Sequence, residues 1–371
     1  MRVGIVTFHY APSYGAFFQV YALANYLHRN GHEVVVVDYL PAHRRRAFGM
    51  RRRFAWRRGG LTRSNLQWIR DCFRLSLYLS RRVAFKTAVR RHLPLTTTTY
   101  SSLEELRASP PSVDACVVGS DQIWNPEKTG GNFDPAYFAA FGAPEMRRLS
   151  YAASFGRTYV SDPEGQLPGL LSLLDAISVR EQSAVTLVKH HSGRDAVRVL
   201  DPTLLLAPVD YPRTRVAHTR RPYVLGYFIG NAEAPRRVLT LVRQILDLKA
   251  VDLSRSSLSW WGMLYPGPTQ MLALLRSARY VVTNSFHGAA LAIRHHVDFT
   301  CVGLSGPQAS LNTRMIGLLT ALGLADRFVQ DAGTVRPDEL NVAPVCWDDV
   351  DHRLAPLQTQ SRQFLAQALA R

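Results

Sequence analysis

One local pattern recurs along the chain: a short apolar run that ends in a polar or glycine-bearing loop. Such runs occupy Arg2–Phe8, Glu33–Tyr39 (EVVVVDY), Val113–Val118, Leu149–Ala153, Asp175–Val179 and Val197–Leu200. They are apolar and β-branched on consecutive residues rather than on alternate ones. That predicts strands buried on both faces, as in parallel sheets covered by helices. Between the first two, Phe18, Tyr21, Ala22, Leu23 and Leu27 share one face of a helix that opens at Tyr14-Gly15 and stops at Asn30-Gly31. Strand, helix and strand of this length make a right-handed βαβ unit. Ser101 and Glu104 have capping-box spacing ahead of a short helix. The strand ends deliver Gly119-Ser120-Asp121, Ser154-Phe155-Gly156, Arg180-Glu181 (before a helix to about His190) and Asp201-Pro202-Thr203. Polar loops at carboxyl ends are where doubly wound sheets place their chemistry.

The second half repeats the architecture. Asp210–Pro222 is polar with two prolines and reads as a domain junction. Beyond it come a strand at Tyr223–Ile229, a turn at Gly230-Asn231, a helix over Ala234–Leu248, and a helix within Gly267–Ser277. Strands at Tyr280–Thr283 and Phe299–Val302 flank a helix that runs through Arg294, and Leu354–Ala370 is helical. The expectation is an α/β chain of two Rossmann-like, doubly wound domains facing a cleft, residues 1–210 and 222–350, with a closing helix within 354–371. A chain of 371 residues is long enough for each half to bury its own core.

Charge is unevenly placed. Of the net +17, residues 44–91 carry +15, from fifteen Arg and Lys86 against the single acid Asp71. The high isoelectric point therefore belongs to a basic helical insertion in the first domain. There Arg alternates with Trp56, Trp68, Phe73, Tyr78 and Phe85. A solvated charge run would look like this, as would a basic amphipathic segment lying on an anionic membrane surface. Nucleic acid would use the same charge, but no recognised nucleic-acid module surrounds it. Four cysteines, Cys72, Cys116, Cys301 and Cys346, form no CxxC pair. This argues against a zinc site or disulfide scaffold and for a reducing compartment. The N-terminal run is too short for a signal-peptide core, and no apolar stretch reaches the ~18 residues of a spanning helix. The chain is expected to be cytoplasmic, peripheral at the inner face of the membrane if the insertion binds lipid.

Thr283–Gly288 (TNSFHG) is the strongest candidate site. A strand ends there and Asn284, Ser285, His287 and Gly288 fall at a helix start, whose free N–H groups and dipole attract anions. With an anion in contact, the imidazolium form of His287 is favoured and can give up a proton. The same residues would serve equally as an N-cap followed by a polar surface histidine. Ser120, Asp121 and Gln122, followed by Trp124-Asn125-Pro126, read as a turn and cap or as a rigid ligand-facing wall. Arg180 can clamp a phosphate or carboxylate with its planar fork, or pair with Glu181. His9, Tyr14-Gly15 and Gln19 line the first crossing but lack GxGxxG spacing, which disfavours a nicotinamide or flavin site. HExxH, EF-hand, Walker A and GxSxG patterns are absent, which disfavours metalloproteases, P-loop NTPases and serine hydrolases.

Taken in order, VGIVTFHYAPSYGAFFQVYAL, DACVVGSDQIWNP, SYAASFG, DAISVRE, VLDPTLLL, YVLGYFIGN, ARYVVTNSFHG and NTRM resemble the polysaccharide pyruvyl transferase family from Val3 to about Met315. The resemblance implies a GT-B-like domain pair with phosphoenolpyruvate as donor substrate; no cofactor is expected and no metal-ligand residues are assigned. It also implies transfer of the enolpyruvyl carbon to sugar hydroxyls of a saccharide acceptor, lipid-linked in exopolysaccharide or cell-wall assembly, giving a pyruvate ketal and phosphate. On this reading His287 is the acid, Asp121 the base for the hydroxyl, and Arg180 the anion clamp. Asn284, Ser285 and the helix start hold phosphate, and Ser120 and Gln122 face donor or acceptor. The first loop, HYAPSYGA, departs from the Asn-rich version common in the family, and the basic insertion is unusually rich in arginine. Two other functions fit the same pattern: a nucleotide-sugar glycosyltransferase on the same fold, and a non-catalytic glycan- or membrane-binding protein.

Overall fold

The computed structural model describes residues 1–42, 65–214, 221–253 and 265–370. The first sheet contains β1 (Arg2–Val6), β2 (Glu33–Tyr39), β3 (Leu95–Tyr100), β4 (Ala115–Val118), β5 (Arg147–Ala153), β6 (Ala176–Val179) and β7 (Val197–Arg198). Its spatial order is β3-β2-β1-β4-β5-β6-β7, and all its pairings are parallel. The second contains β8 (Tyr223–Tyr227), β9 (Lys249–Asp252), β10 (Tyr280–Thr283), β11 (Phe299–Val302) and β12 (Phe328–Val329), ordered β12-β11-β10-β8-β9 and also parallel. Each order reverses direction once, between β1 and β4 and between β8 and β10. Doubly wound sheets open a crevice at that reversal.

Ten helices complete the described fold: α1 (Tyr14–Arg29), α2 (Asn65–His92), α3 (Leu103–Ala108), α4 (Gln166–Ser172), α5 (Gln182–Ser192), α6 (Glu233–Ile245), α7 (Pro268–Ser277), α8 (Phe286–Arg294), α9 (Asn312–Ala321) and α10 (Trp347–Ala370). One continuous core runs from Val3, Ile5 and Val117 through Phe17 and Phe18 of α1 to Leu291 of α8, Val281 and Phe299. The two sheets therefore share apolar packing across their helices. Separate clusters fill the outer face of each sheet, around Trp124 and Phe138 in the first and Phe228 and Val238 in the second. Burying each large side chain contributes roughly 1.5–3 kcal/mol, which resists separation of the halves at α1 and α8.

Several boundaries differ from the sequence expectation for local reasons. β1 stops at Val6 rather than Phe8 because the His9 amide turns back onto the Thr7 carbonyl. β7 is cut to Val197–Arg198 because the Leu200 amide donates to Ser361 Oγ of α10 instead of to a strand. The helix cap before α3 is Ser102, which accepts from the Glu105 amide, not Ser101 with Glu104. β3, LTTTTY, was not expected as a strand; it occupies the sheet edge, where polar residues are tolerated. α10 begins at Trp347, seven residues before Leu354, and packs back on the first domain through Ser361 and through Gln358, which donates to the Leu204 carbonyl. Of the basic insertion, residues 44–64 lie outside the described residues. The end of α2 is no free arm: Phe85 and Val89 are buried in the shared core, and Arg81 donates to the Pro12 carbonyl. No helix among the described residues is long and apolar enough to cross a membrane.

Candidate active site

The two sheet reversals face each other across one cleft of about 260 Å³. The loop after β1 contributes Phe8, Ala11 and Ser13, and the loop after β4 contributes Asp121, Gln122 and Lys128. From the other side come Ile229 after β8, and Ser285, Phe286 and His287 after β10. Arg314 of α9 completes the wall.

At the start of α8, Ser285 is the N-cap, its Oγ accepting from the Gly288 amide at 3.3 Å. Gly288 has no room for a side chain: a Cβ would lie 2.4 Å from Thr283 Oγ1 and 2.8 Å from Tyr227. His287 follows the cap and projects into the cleft between the domains. Its Nε2 is buried, 3.4 Å from Asp201 Oδ2, an ion-pair distance without a formed hydrogen bond. Its Nδ1 edge faces Gly15 of α1, where a Cβ would lie only 2.2 Å away. The bare glycine backbone is thus what lets α1 pass this close to the ring.

Asp201 is the hub behind His287. It is fully buried and receives Arg180 Nη1 at 2.9 Å, Ser120 Oγ at 3.1 Å and Thr203 Oγ1 at 2.8 Å. Burial alone would raise its pKa. The nearness of His287, the Arg180 cation and the hydrogen bonds from Arg180 and Thr203 outweigh that and hold the carboxyl well below its ordinary range. The carboxylate is therefore ionised and sets the orientation of the imidazole, as a third group orients a catalytic base or acid elsewhere.

Arg314 is the residue that sequence reasoning missed. It lines the cleft and also a neighbouring cavity of about 390 Å³ that contains Arg180 and Arg198. Its guanidinium lies 5.7 Å from the Phe286 ring, whose centroid is 4.9 Å from Arg180. Burial, then the Arg180 cation, push its pKa down to about 10. Among the described residues it has no carboxylate at ion-pair distance, and its buried Nε has no hydrogen-bond partner. A cation held short of counter-charge is an anion site in waiting. Its only sequence signal is its place in NTRM; the structure puts it in the first turn of α9, a helix that the sequence reading did not mark.

The predicted residues separate into two groups. His287, Asp121, Gln122 and Ser285 meet in the cleft. Asp121 sits at φ 74°, a left-handed conformation that Asp tolerates better than most residues and that often marks functional loops. Asn284 does not face the cleft with a free amide; its side chain accepts from the Ile229 amide at 2.8 Å and donates to the Ile229 carbonyl at 2.9 Å, tying the β8 loop to β10. His9 is buried between Asp38 Oδ1 at 2.9 Å and the Thr7 carbonyl at 3.2 Å, and does not line the cleft. Gln19 donates to Thr7 Oγ1 and the Ala16 carbonyl, which braces the first loop. Ser120 is buried under that loop, its Oγ on Asp201 and the Ala152 carbonyl. Arg180 is no free clamp, since Asp201 and, at 3.6 Å, Glu181 already balance its charge, though its Nε and Nη2 are both buried without a hydrogen-bond partner. Among the described residues no group of three His, Cys, Asp or Glu could hold a metal ion. Cys116 and Cys301 are core residues; burial raises both thiol pKa values, that of Cys116 to about 12.

A sequence profile described as polysaccharide pyruvyl transferase matches residues 14–306. The chain belongs to the polysaccharide pyruvyl transferase family. It is accordingly an enzyme of pyruvyl transferase type. Arg314 lies just beyond the matched residues of this transferase, whereas Gly15, Asp121, Asp201 and His287 lie within them. No curated protein matches the sequence. Similar solved structures include spinosyn forosaminyltransferase SpnP, 13% identical over 98% of this chain and 95% of that one, with a TM-score of 0.45. Glycosyltransferase VinC in complex with dTDP is 14% identical over 100% and 99% of the two chains, at 0.42. SnogD from Streptomyces nogalater is also 14% identical, over 98% and 96%, at 0.42.

Proposed function

We propose that this transferase moves the enolpyruvyl group of phosphoenolpyruvate onto two hydroxyls of a saccharide, forming a pyruvate ketal and releasing phosphate. The observation that carries the reading is the His287–Asp201 pair opening on a cleft whose wall holds Arg314 and Lys128. Donor phosphate and carboxylate are held by Arg314, Lys128 and the start of α8, with Arg180 Nη2 in reserve behind Phe286. The imidazole of His287, which lines the cleft, gives its proton to the methylene carbon, and the adjacent carbon becomes oxocarbenium-like. Asp121 takes the proton of the first sugar hydroxyl as its oxygen bonds to that carbon, and the proton returns to the imidazole. The C–O bond to phosphate then breaks, the second hydroxyl closes the ring, and its proton leaves with the phosphate. Preplaced cations lower the barrier by opposing charge that is already in position. The acceptor is lipid-linked in this reading, and the basic segment 44–91 brings the enzyme to the anionic inner membrane surface.

The test is a calorimetric titration with phosphoenolpyruvate, and with a nucleoside diphosphate as control. Phosphoenolpyruvate should bind wild type, and Arg314→Ala should weaken it at least ~10-fold, the loss of one charge-assisted contact. His287→Ala should keep donor binding and lose ~10²–10⁴-fold in turnover. Nucleotide binding without phosphoenolpyruvate binding would refute the proposal and favour a glycosyltransferase.

A further inference from the structure

A cavity of about 430 Å³ in the first domain lies beside the cleft rather than in it. The size is that of a small-ligand site. One loop forms a wall of both spaces: Asp121, Gln122 and Lys128 face the cleft, while Asn125, Glu127, Asn132 and Phe133 face the second cavity. The two walls are tied by a hydrogen bond from Asn125 Nδ2 to Gln122 Oε1 at 3.1 Å. Across the cavity stands Tyr159, an aromatic ring 72% exposed with no hydrogen-bond partner among the described residues. A large ring left in water at a cavity rim is informative in a way that a buried one is not.

The charge here is opposite to that of the chain. Glu127, Asp162 and Glu164 line the cavity against Arg157, which is engaged with Glu127. A phosphate or carboxylate donor is repelled from such a wall. A neutral polyhydroxylated or amino-sugar ligand suits it, with hydroxyls on Asn132 and the carboxylates and one ring face on Tyr159. Resting on the transferase reading above, we propose that this cavity is an acceptor subsite, taking the sugars next to the one that is ketalated. The reacting sugar sits against Asp121, and the glycan continues over the 122–133 loop onto Tyr159.

The test uses the full chain on an array of neutral and amino-sugar glycans from mono- to hexasaccharides, with phosphoenolpyruvate titrated in parallel. Wild type should retain oligosaccharides in preference to monosaccharides. Tyr159→Ala and Asn132→Ala, both at exposed positions, should lose at least ~10-fold of that binding, a stacking or hydrogen-bond contribution, with donor binding unchanged. Glycan binding equal in wild type and both variants, or no glycan bound by wild type, overturns the subsite while the donor result stands. Tyr159-dependent glycan binding without phosphoenolpyruvate binding keeps the subsite and overturns the pyruvyl donor.

Discussion

Gly15→Ala is the substitution that most directly tests how the halves meet at His287. Its Cβ would come within 2.2 Å of Nδ1, 2.7 Å of Cγ and 2.9 Å of Cε1. Ordinary contact needs at least 3.4 Å, so the ring or the helix must shift by about 1.2 Å. The ring backs onto Asp201 at 3.4 Å and α1 is packed in the shared core, so neither yields freely. Overpacking of this kind costs about 1–3 kcal/mol. The assay is urea unfolding of wild type, Gly15→Ala, His287→Ala and the double variant. Once the ring is gone, Gly15→Ala should fall within about 1 kcal/mol of neutral, or stabilise, because Ala is the better helix residue. In turnover, a misplacement of about 1 Å should cost Gly15→Ala about 10²-fold. Equal destabilisation with and without His287 would refute the contact, as would a fully active, fully stable Gly15→Ala.

Arg180→Ala should destabilise by about 3–5 kcal/mol, since it removes the guanidinium hydrogen-bonded to the buried Asp201 carboxylate; a loss under about 1 kcal/mol in urea unfolding would remove Arg180 from that role. His295 supplies a pH test. Burial, then Arg276 and Arg294, push its pKa down to about 3, against 6.5 when unfolded. Above pH 6.5 it is neutral in both states and contributes nothing. As pH falls from 6.5 towards 3, only the unfolded chain takes up the proton and stability drops, by up to about 1.4 kcal/mol per unit. His295→Gln should flatten unfolding free energy between pH 6.5 and 4.5, above the carboxylate range; parallel profiles would refute it.

The doubly wound pattern was legible because strands buried on both faces read as unbroken apolar runs, and helix starts announce themselves by capping residues. The edge strand β3 was not, because LTTTTY is polar and short of branched aliphatics. The capping error has an equally local origin: Ser101 and Ser102 are adjacent, and only the fold decides which takes the Glu105 amide. TNSFHG was found for the right physical reason, a strand end meeting a helix start. Within it, Asn284 and Ser285 look alike in sequence, and what separates them is the Ile229 backbone, 55 residues away from Asn284. Asp201 reads locally as a cap for Thr203, which it also is. Its hold on His287 exists only once the two sheets face each other.

The contacts of α10 with the first domain join segments that lie far apart in the order of synthesis. Ser361 and Gln358 secure the backbone at Leu200 and Leu204, on either side of Asp201. The segment bearing the buried carboxylate is therefore completed by residues translated more than 150 positions later. Until they emerge, the Leu200 amide and the Leu204 carbonyl lack these partners, so the backbone around the hub is secured last.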